Sequence, residues 1–317
     1  MRLVRRINLW RSLVLGLSLG AISLPAMDGL PDVAGLRQKA AAGSAEAGYE
    51  LGRAFLRGEE VPRNLAEAST LLRSSAESGH VEAMGAYGYM MARGLGMEAN
   101  EKTGFDWIRK SAEAGSVSAL LNQGIMTLRG QGVSGDPVAG MALMKQAAER
   151  GSVEAQARVA EAYFLGEDGL VAKSEDEAAR WAQRAAEAGH AWSQNLVGTM
   201  KEHGLGQARD LAGAREFYQR AAEQGNAKAQ ASLGRLLHNG ASGAADRIGA
   251  YYWLKAGAEQ GEVTARNFFG EVESGFTDDE RAAGEQKLRE VPPPRPRSVR
   301  RGGPGPAIPR EASGPKQ

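Results

Sequence analysis

A chain of 317 residues with 42 glycines, 6% aromatics and no cysteine must pack largely through small side chains. The missing cysteines exclude disulfide staples, thiolate nucleophiles and Cys-ligated zinc. The net charge of +1 conceals a segregation: residues 1–26 carry four arginines and no acid, residues 291–317 carry six basic residues against Glu311, and +1 less +4 and +5 leaves the body between them near −8.

The first 26 residues run from a basic stretch (MRLVRRINLWR) through an apolar one (SLVLGLSLGAISL) to a small-residue exit at Pro25 and Ala26, the three-part form of a signal peptide. The apolar run is about a dozen residues, short of the roughly 20 that a membrane-spanning helix needs. Cleavage after Ser23 or Ala26 is expected, which makes the mature chain periplasmic or secreted. Retention by an uncleaved N-terminal segment as an inner-membrane anchor is the alternative. Arg5 and Arg6 resemble a twin-arginine signal, but Asn8 stands where that motif prefers an aromatic. No cysteine comes after the apolar run, which excludes a lipoprotein anchor.

Residues 27–44, containing PDVAGLRQKAAAG, read as an N-terminal capping helix. Gly43, Gly79, Gly115, Gly151, Gly189, Gly225 and Gly261 are separated by 36, 36, 36, 38, 36 and 36 residues, the mark of a repeat array. Four residues after each glycine stands a small residue: Ala47, Ala83, Ala119, Ala155, Ser193, Ala229 or Ala265. Nine after it stands Gly52, Gly88, Gly124, Ala160, Gly198, Gly234 or Gly270. A further glycine closes the phrase at Gly58, Gly94, Gly130, Gly166, Gly204 and Gly240.

Each position has a physical reading. The repeat glycine comes after an AAE-like tail and suits a left-handed helix C-terminus. The mid-helix glycine lets a partner helix come close, and the closing glycine ends the first helix. Asn64, Asn100, Asp136, Asp210 and Asp246, 21 residues after each repeat glycine, are N-caps for a second helix. In the longer fourth repeat Ser174 and Glu177 form the pattern of a capping box, as do Thr277 and Glu280 near the end. Trp107, Trp181, Phe217 and Trp253, eight residues before the next repeat glycine, are expected as core wedges.

This phrase closely resembles the Sel1-like repeat, in which an Ala…Leu-Gly helix is joined to a helix ending in Ala-Ala-Glu-x-Gly. The resemblance covers about residues 39–275, seven copies in register. It implies an all-α fold: a right-handed superhelical solenoid of antiparallel helix pairs, related to tetratricopeptide arrays. Packing alone points the same way, because one helix pair cannot bury its apolar stripe and must stack on its neighbours. The expected organisation is a solenoid over 45–275, about six full repeats and a partial seventh. A capping helix over 276–290 comes next, then a disordered basic tail over 291–317 that holds eight of the chain's twelve prolines.

No catalytic or cofactor constellation emerges. GQGVSG at 130–135 satisfies G-x-G-x-x-G but falls in an interhelical loop, where the dinucleotide fingerprint has neither its strand nor its helix. The four histidines lack metal spacing, and His80 and His190 occupy the position just after a repeat glycine. An enzyme is therefore not expected, and no cofactor or metal is assigned.

What remains is surface. With offsets 4, 8 and 12 of the first helix toward the core, offsets 3, 7, 10 and 14 lie opposite by the 3.6-residue period. In the resembled family that helix lines the concave face, which supplies the candidate binding residues Arg53, Arg57, Tyr89, Arg93, Arg129, His203 and Arg235 at offsets 10 and 14. Arginines on successive repeats suit bidentate capture of carboxylates or phosphates. Their position at a helix C-terminus is also what the helix dipole favours without any ligand. The expected function is an exported non-enzymatic scaffold for a protein or peptide partner. The alternative is an envelope-binding module whose tail engages anionic cell-wall polymers or lipid headgroups. Nucleic acid is not expected, because the tail lacks interleaved aromatics and the body is acidic.

Overall fold

The computed structural model describes residues 32–58, 61–166, 171–241 and 243–295. The expected signal peptide, the start of the N-terminal capping helix and the tail beyond Arg295 lie outside the described residues. Among the described residues the chain is all-helical with no strand, and it divides into two compact units between Ala188 and Gly189. Unit 1 contains α1 (Val33–Ala41), α2 (Ala45–Arg57), α3 (Leu65–Glu77), α4 (Val81–Arg93), α5 (Glu101–Glu113), α6 (Val117–Arg129), α7 (Pro137–Glu149), α8 (Val153–Leu165) and α9 (Glu175–Glu187). Unit 2 contains α10 (Ala191–His203), α11 (Leu211–Glu223), α12 (Ala227–Asn239), α13 (Arg247–Glu259) and α14 (Val263–Val272). A 3₁₀ turn (Glu273–Gly275) leads from there to α15 (Asp278–Glu290). Within unit 1 each helix packs on the next in sequence; in unit 2 this holds through α14, and α15 lies on α13.

The repeat glycines act as the sequence suggests. Gly79 has φ +89°, its N–H bonds to the Ala76 carbonyl, and the His80 N–H reaches back to Ser75, which is a Schellman turn. His80 then caps α4: its Nδ1 accepts from the Ala83 N–H at 3.2 Å, while Nε2 meets Glu46 at 2.9 Å. His190 caps α10 in the same way, so both histidines take the role that Ser44, Ser116 and Ser152 fill elsewhere.

The second helices start on the expected caps. Asn64, Asn100, Asp136, Ser174, Asp210 and Asp246 each accept from the backbone three residues on. Their own N–H groups donate to Phe55, Met91, Thr127, Tyr163, Lys201 and Leu237, the third-last residue of each preceding first helix, at 2.9–3.0 Å. This explains one correction. The Ser174 N–H is committed to Tyr163, and Glu177 instead takes Trp181 Nε1 at 3.2 Å and pairs with Arg180, so the expected box is only half made. The box at Thr277 and Glu280 is complete.

Gly52, Gly88, Gly124, Gly198 and Gly234 mark contacts that a methyl group would obstruct, whereas a Cβ on Gly270 would meet nothing. A Cβ on Gly88 would stand 2.7 Å from the Gly104 carbonyl oxygen and 2.8 Å from Trp107 Cβ; one on Gly104 would stand 2.6 Å from the Ala92 nitrogen. Gly124 and Gly140 repeat this reciprocal pair between α6 and α7. The repeat spacing marks only one glycine of each pair. It also leaves unmarked the second glycine of the Gly-x-Gly closings: Gly96 has φ +75°, and a Cβ there would sit 2.3 Å from the Leu65 carbonyl oxygen of the preceding pair. Trp181, Phe217 and Trp253 are buried as wedges. Trp107 departs from that expectation: it is only half-buried, edge-on to the Tyr87 ring and with Lys110 5.0 Å above its own ring.

One candidate arginine is absorbed into unit 2. Arg235 on α12 reaches back to α10, where its Nη2 contacts both Glu202 oxygens at 2.6 and 2.8 Å. The Glu202 side chain is 7% exposed and also accepts from Tyr218 Oη at 2.9 Å. Burial, the largest cause, and the Glu202 charge push the Tyr218 phenol well above its ordinary value, so it remains a donor.

Urea unfolding should separate these contacts. Gly88→Leu is expected to destabilise by about 1–3 kcal/mol or more through overpacking, against about 0.5 or less for Arg93→Ala; equal shifts would place the helix contact elsewhere. Arg235→Ala strands a buried carboxylate and should cost about 1–3 kcal/mol, below the cost for a fully buried pair because Arg235 is 33% exposed.

Candidate functional site

The C-terminal halves of α4 and α6 lie side by side, and the closing glycines turn the chain sharply away after Arg93 and Arg129. Between them is an open depression lined by Tyr89 and Arg93 from α4 and by Asn122, Ile125, Met126 and Arg129 from α6. Glu101, the first residue of α5, and Gln131, just past α6, complete its rim. Ile125 and Met126 give it an apolar floor, and Tyr89, Asn122 and the two guanidinium groups bring hydrogen-bonding atoms to its wall.

Its electrostatics are cationic. Arg129 is half-buried, and burial, then repulsion from Arg158 and Arg93, lowers its pKa from the ordinary arginine value. The guanidinium keeps its proton, since arginine does not deprotonate in proteins. Its field is nonetheless uncompensated: among the described residues neither Arg93 nor Arg129 makes a hydrogen bond or ion pair, whereas Arg158 is tied to Glu154 at 2.7 Å. Glu101 shares the lining, but no ion pair ties it to either arginine among the described residues, and two adjacent unpaired guanidinium groups form an anion-binding arrangement that a carboxylate or phosphate would relieve.

Of the candidates named from sequence, the structure brings together Tyr89, Arg93 and Arg129. Arg57 lies outside the depression. Arg53 is a correction: it is 5% exposed, with its guanidinium packed 5.2 Å over the Tyr49 ring, so it does not present its charge at the surface. Arg235 is corrected as well, since the buried Glu202 holds it, and His203 stands exposed at the end of α10. Asn122 lines the depression from offset 7 of the outward face, a position whose residue type alone does not single it out. Glu101 and Gln131 carry no usable signal in the sequence, because they reach the depression from a helix start and a loop.

The array can be compared with known proteins. The Sel1 repeat profile matches residues 45–80, 81–116, 117–152, 153–190, 193–226 and 227–262. A Sel1 repeat protein from Oxalobacter formigenes is 25% identical, with TM-score 0.61, over 75% of this chain and 95% of that one. A protective antigen of uropathogenic Escherichia coli with an SLR fold is 26% identical over 82% of this chain, with TM-score 0.45; the match covers 64% of the antigen. Chitin synthase regulatory factor 3 of Schizosaccharomyces pombe is 38% identical over 65 residues, 20% of this chain and 7% of that protein. With the repeat profile matched over more than half of its length, on helix pairs whose caps and glycine contacts are all in register, the chain belongs to the Sel1 repeat family.

Proposed function

We propose that this protein is an exported, non-catalytic scaffold whose unit 1 binds an extended acidic segment of a protein partner across the ends of α4 and α6. Sel1 repeat proteins generally serve as scaffolds that bind proteins, and the observation that carries the finer reading is the pair Arg93 and Arg129, adjacent and without a carboxylate partner among the described residues. Helix C-termini favour cations, which accounts for arginine at either position singly. It does not account for a half-buried Arg129 beside a second and a third arginine, an arrangement with a repulsive cost that a ligand removes. Export rests on the basic, apolar and small-residue order of residues 1–26. The six basic residues after 290 favour a second contribution, a tail that engages anionic wall polymers or lipid headgroups.

Titration of the full chain with a fluorescent Glu-rich peptide tests the binding. Arg93→Ala with Arg129→Ala should weaken it at least about tenfold, equivalent to 1.4 kcal/mol, while Arg57→Ala, outside the depression, should leave it within about twofold. Equal losses for both would reduce the effect to net charge. Export is tested by fractionation and N-terminal sequencing: a mature N-terminus after Ser23 or Ala26 in the envelope or medium is expected, and intact Met1 on a cytosolic protein would contradict it.

A further inference from the structure

Gln230, in the first turn of α12, is fully buried at 0% exposure. A buried primary amide must satisfy two N–H donors and an oxygen. Here Oε1 accepts from Nε2 of Gln260, the residue that caps α13, at 2.6 Å. Nε2 donates to the Ala222 carbonyl at the end of α11, at 3.2 Å, and to the carbonyl of Pro294, 64 residues along the chain, at 2.9 Å. The bond to the preceding helix belongs to the repeat, because Gln156 at the start of α8 donates to Ala148 in the same way at 3.1 Å. The bond to Pro294 is an addition to that pattern.

The chemistry of the two sides matches. With Oε1 occupied by Gln260, the glutamine offers the approaching chain a donor and no acceptor. Pro292, Pro293 and Pro294 offer carbonyls and no N–H groups, so an extended run of them docks without orphaning a single amide. The fold also delivers the segment to this point. α15 runs alongside α13 in the same direction: Glu280 pairs with Arg247 at 2.9 Å, Glu285 accepts from Tyr251 Oη at 2.7 Å and pairs with Lys255, and Lys287 lies 5.1 Å over the Tyr252 ring. Its last residue, Glu290, therefore ends near the C-terminus of α13, where Gln260 stands. Pro293 and Pro294 are half-buried beyond it.

We propose that the Gln230–Gln260 pair is a docking site for an extended proline-rich segment and that its occupant is the chain's own residues 292–295. The basic tail thereby leaves from a fixed point on α12 rather than from the free end of α15. The site uses different residues from the arginine depression, so either can fail without the other.

Because the chain has no cysteine, Arg295→Cys in the full-length protein, an exposed position next to Pro294, gives a unique attachment point for a nitroxide spin label. The label should be motionally restrained at all protein concentrations. Gln230→Leu should speed its reorientation by at least about threefold while circular dichroism stays helical. Replacing Pro292, Pro293 and Pro294 together with glycine should release it too, and because that change leaves the helices untouched it decides the matter if Gln230→Leu fails to fold. Equal mobility in the parent and the triple-glycine variant would overturn the proposal. So would a restraint that disappears on dilution or on mixing with excess unlabelled protein, which would assign the segment to a neighbouring copy.

Discussion

One hydrogen bond sets the geometry of every repeat: the N–H of the second helix's N-cap donated to the third-last carbonyl of the first helix. It occurs in six helix pairs, from Asn64 to Phe55 through Asp246 to Leu237. The bond gives a carbonyl in the last turn of the first helix a partner at the start of the second, and it holds the two helices in one register. In that register Gly88 meets Gly104 and Gly124 meets Gly140, where backbone touches backbone and no Cβ fits. Interfaces built on so little side-chain volume leave the outward positions of the first helices free to vary. That freedom is where Tyr89, Arg93, Asn122 and Arg129 stand.

The regular part of this arrangement is legible in the sequence because each repeating requirement leaves its own residue type at a fixed offset. A left-handed C-terminus leaves glycine, an N-cap leaves Asn, Asp or Ser, and a close contact leaves glycine or alanine. The composition that reads as a signal peptide and the basic proline-rich tail are equally visible in the sequence, but residues 1–31 and those beyond Arg295 lie outside the described residues. Side-chain direction is not legible. Arg53 and Arg93 share a helix face by periodicity and each stands one turn after a tyrosine, yet Arg53 packs over Tyr49 at 5% exposure while Arg93 stands exposed beside the depression. Arg235 looks like its counterparts until Glu202, a carboxylate at a position that other repeats fill with Leu56, Ala92 or Leu128, comes within 2.6 Å of it. The capping pattern at Ser174 fails for a comparable reason, since its N–H already belongs to the repeat's closing bond.

The two units use the same scaffold for different ends. In unit 1 Arg93 on α4 and Arg129 on α6 form no ion pair among the described residues and border an open depression. In unit 2 the equivalent surface is closed on itself by the Glu202–Tyr218–Arg235 cluster, and a buried glutamine takes up the start of the proline-rich tail. A solenoid makes such a division simple, because each repeat's stability depends mainly on its neighbours and its outer residues can specialise one repeat at a time.

The central claim is that Arg93 and Arg129 are left without partners in order to meet an anion. NMR of the arginine Nε–Hε groups during titration with a Glu-rich peptide reads this directly. The account predicts saturable shifts at Arg93 and Arg129 with matching midpoints, while the Arg235 signal, locked on Glu202, stays in place. Shifts spread evenly over the exposed arginines, or none at Arg129 at saturating peptide, would contradict it.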